Sequence, residues 1–269
     1  MTDRLTVCAL QPLVYWQDPP RTFASLAALL AEAATRATLD VVVLPEHFDV
    51  ALAEEGDQSR WLEAQAFASG LAQQHRVHLV AGSVERWDVA QQARFNTSMV
   101  YDRAGQEVGR YDKRRLFGFE QRRGVQPGHA PLVVTVEGVR MGVLICSDLW
   151  YPELARRAAL DVDLLCVPAQ TTIRAESQPA YARLLWRNLA FTRAQENVTA
   201  VVVSDQAVNS PTPFRCGGTS CIVDPGAEPD LAAMQRVLAD GEAGYLIADI
   251  DFARLARFRS YRRDNGLLP

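Results

Sequence analysis

The sequence predicts an α/β fold, and three observations point to it. Short valine-rich apolar runs, of the kind expected for strands buried on both faces, alternate with Ala/Leu-rich segments of helical length. Strand–turn–strand pairs interrupt that alternation, which a simple all-parallel sheet does not accommodate. No internal repeat, low-complexity tract or long linker divides the 269 residues, so one domain over 1–269 is expected. Two packed sheets covered by helices fit this pattern better than a barrel.

LTVCAL (5–10) reads as the first strand, and Asp18 with the two prolines after it opens a helix over 20–38. DVVVLP (40–45) is a continuous apolar run and hence a buried strand; 59–75 is a second helix. VHLVAGSV (77–84) and NTSMVYD (96–102) are strands. The turn Asp102-Arg103-Ala104-Gly105 pairs 96–102 with 107–112 as a hairpin. Strands at 132–136 and 139–146 flank a turn at Glu137-Gly138, and a short helix starts near Pro152. LLCVPA (164–169) is another buried strand. A helix over 178–196 gathers Tyr181, Leu184, Leu185, Leu189 and Thr192 near one face. VTAVVVS (198–204), TSCIVD (219–224) and GYLIADID (244–251) complete the strands, and Gly217-Gly218 is read as a turn or a close backbone approach.

Composition narrows the function classes. The chain is 48% hydrophobic and 22% charged with a net charge of -4, so it carries no electrostatic footprint for nucleic acid or an anionic membrane. No apolar run approaches the roughly 18 residues of a membrane-spanning helix. MTDRLTVCAL lacks the apolar core of a signal peptide, so the cytoplasm is the expected location. The five cysteines are odd in number and form no C-x-x-C pair, which argues for free thiols. His75 and His78 lack a third ligand nearby, so zinc is not expected, and there is neither a P-loop nor a G-x-G-x-x-G. No metal or organic cofactor is expected.

Three side chains invite chemistry. Glu46 follows a buried valine strand and a proline, which puts a carboxylate at a strand's C-terminal edge. Burial there is expected to raise its pKa and suit it to proton transfer. The alternative is a carboxylate that caps a turn or pairs with a surface base. Lys113 ends a strand-like segment, where a desolvated ammonium stabilises an oxyanion; taken alone, a solvated lysine is the favoured reading. Cys8 and Cys166 lie inside apolar strands and read as small buried hydrophobes. Cys146 instead stands at a strand end before Ser147, Asp148 and a helix entry, where backbone N–H groups and a nearby cation favour a thiolate. Taken alone it divides evenly between a structural and a catalytic role.

Together these segments resemble the nitrilase superfamily of carbon–nitrogen hydrolases. PEHF (45–48), YDKRRLF (111–117) and ICSDLWYPE (145–153) look like its three motif segments, in order. The opening LTVCALQP, RAQEN (193–197) and GGTSCIVDPGAE (217–228) are similar to further family stretches. The resemblance implies a four-layer α-β-β-α sandwich of two mixed sheets and a Glu46–Lys113–Cys146 triad. It also implies a second glutamate that positions substrate and triad, mapped to Glu120 ahead of Pro127-Gly128. A homodimer is implied, with the helix after Cys146 and the 178–196 helix near its interface.

The segment after Cys146 is more similar to the amidase and carbamoylase branches than to true nitrilases. On that resemblance a small amide is hydrolysed through a thioester on Cys146, with Lys113 and the Ser147 backbone N–H holding the oxyanion and ammonia leaving. The other two readings are a nitrilase acting on C≡N bonds and a binding or scaffold member that keeps the fold without turnover. Ser147, and Gln170-Thr171-Thr172 after Pro168-Ala169, replace aromatics common in relatives and so alter the pocket wall. Arg114, Arg115, Arg122 and Arg123 flank the expected entrance. They read as a solvated basic loop in preference to a clamp for a substrate carboxylate, which would favour an omega-amide or N-carbamoyl compound.

Overall fold

A computed structural model describes residues 3–49, 54–174, 176–227 and 230–268. In chain order its first half comprises β1 (Arg4–Gln11), α1 (Pro19–Arg36), β2 (Val41–Val43), α2 (Ser59–His75), β3 (His78–Val80), β4 (Val84–Asp88), β5 (Ala93–Tyr101), β6 (Glu107–Asp112) and α3 (Gly118–Arg122). Then come β7 (Val133–Val136), β8 (Val139–Val143), a 3-10 turn (Cys146–Trp150), α4 (Pro152–Ala159), β9 (Leu164–Pro168), β10 (Thr172–Ile173), α5 (Pro179–Asn197) and β11 (Ala200–Ser204). The last elements are β12 (Arg215–Cys216), β13 (Cys221–Val223), α6 (Leu231–Met234), β14 (Gln235–Val237), β15 (Gly244–Asp251) and α7 (Phe252–Asp264).

Two mixed sheets result. One runs β15-β1-β2-β3-β5-β4, with β6 also paired to β5; the other runs β14-β13-β11-β9-β8-β7. Each has a parallel centre, β1/β2/β3 in one and β8/β9/β11 in the other, with antiparallel flanks. Strand alternation sorts side chains between cores. Val7, Ala9, Val41 and Val43 enter the core shared with Val143, Val167 and Val201 of the facing sheet. Cys8, Leu10 and Val42 point the other way, against Leu26 and Leu30 of α1 and Ala64 and Ala68 of α2. Leu154 of α4 and Trp186, Ala190 and Ala194 of α5 cover the second sheet. The layers are therefore helix, sheet, sheet, helix, as the resemblance implies.

Most expected elements form within a few residues of their predicted bounds; the main differences are one divided strand, the face that α5 buries and one helix the sequence does not announce. The expected strand over 77–84 divides into β3 and β4, because Gly82 adopts φ +47° and turns the chain. In α5 the small residues Ala182, Ala190 and Ala194 lie inward with Trp186, letting the helix approach the sheet closely. Tyr181 and Leu184 of the expected apolar face are instead 62% and 58% exposed. The α7 helix has no sequence-level expectation. It docks through Phe252 and Leu255, and its Arg259 donates to the Val198 carbonyl at 2.8 Å and to Asp163 Oδ1 at 2.7 Å. The Gly217-Gly218 reading holds, since a Cβ on Gly218 would stand 2.3 Å from the Gly241 carbonyl oxygen. Of the family-like stretches, the final Glu228 lies outside the described residues.

Candidate active site

The carboxyl ends of β2 and β9, one from each sheet, meet at Glu46. Its backbone N–H donates to the Ala169 carbonyl at 3.1 Å, and Gln206 Nε2 donates to its carbonyl at 2.9 Å, so the glutamate is stitched between the sheets. Lys113 arrives on the chain leaving β6. Its N–H donates to the Asn96 carbonyl at 2.8 Å, and its carbonyl accepts from Gly128 N–H at 2.8 Å. That approach requires glycine, because a Cβ on Gly128 would sit 2.2 Å from the Asp112 carbonyl oxygen.

Lys113 Nζ donates to Glu46 Oε1 at 2.6 Å and to Glu120 Oε2 at 2.8 Å. Asn96 Nδ2 bridges the same two carboxylates, at 2.9 Å to Glu46 Oε1 and 2.6 Å to Glu120 Oε1. The Phe117 N–H donates to Glu120 Oε2 at 2.7 Å, fixing Glu120 from the start of α3. Glu46, Lys113 and Glu120 are all buried. Two carboxylates thus share one ammonium and one amide inside the protein.

Cys146 stands at the elbow after β8 with φ +46°, a left-handed conformation that side chains disfavour. Asp148 pins this elbow to the Lys113 segment: Oδ2 accepts from Tyr111 Oη at 2.8 Å and Ile145 N–H at 3.0 Å, and Oδ1 from Arg115 N–H at 2.7 Å. Ser147 Oγ donates to the Arg115 carbonyl. Ser147 is the second residue of the 3-10 turn, where a backbone N–H has no partner inside the turn. The Cys146 thiol donates toward the Gln170 carbonyl oxygen at 3.9 Å, and the Glu46 carboxylate lies close enough to raise the thiol's pKa. The Gln170 N–H donates to Glu46 Oε2 at 3.0 Å.

Charge follows from this geometry. Burial alone would push the Glu46 carboxyl up, but the Lys113 ammonium, with His47 and the hydrogen bonds, outweighs it and holds the pKa below the ordinary value. The expectation that burial raises it is thus corrected. Burial works against the Lys113 charge, yet Glu46, the sulfur and Glu120 raise its pKa. Burial and then Glu46 push the Cys146 thiol well up, against the pull of Lys113, so the expected resting thiolate is corrected to a thiol.

These groups line a cavity of about 1120 Å³, together with Ser147, Gln170 and His47. Three of the chain's five tryptophans, Trp16, Trp150 and Trp186, also line it. None of Arg114, Arg115, Arg122 and Arg123 is in this lining. Arg123 is held by Glu85 at 2.7 Å, and Arg115 stacks over Tyr151 at 4.7 Å and pairs with Glu153 at 3.2 Å. The arginine at the cavity is Arg174. Glu46, His47 and Glu120 offer ligand atoms within 4.8 Å of one another, but the Lys113 ammonium already bonds both carboxylates and balances the donors a metal ion would need.

Nothing in the sequence marks Asn96 or Asp205 as part of this assembly, and His47, though inside the PEHF segment, has no role assigned by the sequence. Asn96 is a polar residue inside a strand, and only the fold reveals the carboxylates beside it. Asp205, beyond β11, accepts from the N–H of Thr171 at 3.0 Å and of Thr219 at 2.8 Å and from the Thr171 hydroxyl, fixing the loop that carries Gln170.

The family model for carbon-nitrogen hydrolase matches residues 4–260. The chain is 29% identical over 231 residues to the 2-oxoglutaramate amidase of Bacillus subtilis, covering 82% of this chain and 81% of that protein. A Saccharomyces cerevisiae structure from branch 10 of the nitrilase superfamily superposes with a TM-score of 0.80 at 22% identity, covering 96% and 94% of the two chains. An amidase from Nesterenkonia, in a mutant carrying the acetamide moiety of fluoroacetamide on its active-site cysteine, superposes with a TM-score of 0.76 at 21% identity, covering 98% and 97%.

Proposed function

The chain belongs to the carbon–nitrogen hydrolase family, and from that premise we infer that Cys146, Glu46, Lys113 and Glu120 hydrolyse a small amide through a thioester on Cys146. One observation carries the reading: a thiol, an ionised carboxylate and a charged lysine from separate segments meet at the wall of one cavity.

Because the thiol rests protonated, nucleophile and base act together. Glu46 takes the Cys146 proton as the sulfur attacks the amide carbon. The oxyanion that forms draws the Lys113 ammonium and the Ser147 N–H, donors held in place before the reaction. Glu46 returns the proton to the leaving nitrogen and ammonia departs. Water then adds to the thioester with Glu46 again as base, releasing the acid and the thiol. Glu120 touches no reacting atom in this sequence; it positions Lys113, and Asn96 aligns the two carboxylates. The named amidases among the relatives support an amide over a nitrile as substrate.

Intact-protein mass spectrometry on the enzyme quenched during turnover of acetamide tests this. An adduct of acetyl mass on Cys146, absent from Cys146→Ala, is expected; ammonia release without any such adduct would sink the thioester. The same reading includes self-association through the α4 and α5 face, supported by exposed Leu160 and Leu184, which sedimentation checks. A cytoplasmic location is supported by five free cysteines.

A further inference from the structure

We propose that the cavity beside Cys146 holds an uncharged, apolar acyl chain of several carbons, so that the substrates are neutral aliphatic or arylalkyl amides and not amides that carry a carboxylate. This rests on the amidase reading and adds the substrate class.

Size is the first argument. Pockets of about 300–1,000 Å³ serve drug-sized ligands, and this cavity of about 1120 Å³ far exceeds what a carboxamide group fills. Its walls are the second. Trp16 meets Phe214 edge-to-face at 5.6 Å between centroids, and Trp150 meets Trp186 likewise at 6.2 Å. Ile173 and Leu185 add aliphatic surface to the same lining. Such rings lose water favourably to a hydrocarbon chain and hold it by dispersion.

Charge is the third. Among the described residues, Lys113 and Arg174 are the cavity's only lysine or arginine. Lys113 is taken by Glu46 and Glu120 beside the thiol, so it is not available to clamp a carboxylate at the far end of an acyl chain. Arg174 has its side chain 83% exposed and lies 3.8 Å from Glu176, so it offers a screened surface charge and no desolvated clamp.

The test compares acetamide, butyramide and hexanamide with the half-amide of hexanedioic acid, which has the length of hexanamide plus a carboxylate. Each is measured for ammonia release by the wild type and for calorimetric binding to the Cys146→Ala protein. Wild-type kcat/KM and variant affinity should both rise about fourfold per methylene, with the half-amide at least tenfold below hexanamide. Phe214→Ala should flatten the rise and Phe214→Leu should restore most of it. Arg174→Ala should leave the ratio of hexanamide to half-amide unchanged. A half-amide that binds as well as hexanamide and loses that binding in Arg174→Ala overturns the proposal. So does a flat series with normal acetamide turnover, which assigns the aromatic wall to another occupant, such as a second copy, and leaves the amidase reading intact. Binding that grows with chain length without ammonia from any amide supports the apolar site and sinks the amidase reading.

Discussion

Replacing Glu120 by glutamine preserves shape and changes two properties, charge and the direction of one hydrogen bond. Glu120 accepts three donors: Lys113 Nζ and the Phe117 N–H on Oε2, and Asn96 Nδ2 on Oε1 at 2.6 Å. A glutamine keeps the first two by placing its oxygen at the Oε2 position. Its amide nitrogen then faces Asn96 Nδ2, donor against donor. Asn96 has a side-chain oxygen without a partner that could turn to meet it. Doing so would remove Nδ2 from Glu46 Oε1 and set oxygen against a carboxylate. The variant therefore loses at least one charge-assisted hydrogen bond, worth about 1.5–3 kcal/mol. If that loss falls on the alignment of Glu46 and Lys113 in the transition state, kcat drops about 10–150-fold. Ammonia release under saturating amide measures kcat, and circular dichroism confirms the fold. A positioning role requires kcat to fall with KM nearly constant, and Asn96→Ala to add little to Glu120→Gln. A kcat within twofold of wild type, or fully additive losses in the double variant, would refute the shared alignment.

Cys146→Ala should abolish ammonia release, while Cys8→Ala and Cys216→Ala should keep most of it; equal loss in all three would assign the effect to folding. The Glu46 carboxyl is held below its ordinary value of 4.5, so the stability it contributes is complete above that value and is lost as pH falls through the lower folded one. Denaturant unfolding between pH 3 and 6 should show Glu46→Gln with a shallower fall than wild type; identical slopes would contradict the Lys113–Glu46 pairing. Asp205→Asn sets an amide N–H against the Thr171 and Thr219 donors and should cost about 1–3 kcal/mol of stability. Because that loop carries Gln170, kcat should fall as well, and a stability loss with unchanged kcat would show that the loop holds without it.

The hairpin of β5 and β6 and the helix over 59–75 were legible because their signals are local: a four-residue turn and a long Ala/Leu segment. Glu46 and Cys146 were legible because each puts a polar side chain at the end of an apolar strand, whereas Lys113 follows the mostly polar strand EVGRYD and stood out only through the likeness of its segment to the family's. What escaped depends on distant partners. The α7 helix buries little of its own surface and is moored by arginine contacts to residues near 163 and 198. The fourth strand hides Glu85 and Arg86, which the fold pairs with Arg123 and Asp88. The inward face of α5 is set by alanines, which a search for bulky apolar residues passes over. Charge states escaped for the same reason, since Lys113 reverses the effect of burial on Glu46 only once it lies 2.6 Å away.

The backbone of Cys146 adopts φ +46°, a conformation that favours glycine. On the proposed mechanism, heat resistance and chemistry select for opposite residues at this position. A library screened only for survival at high temperature would be drawn toward glycine at 146, with relief on the order of 1 kcal/mol, and its most robust members would be inert. Any effort to toughen this scaffold should leave that codon untouched.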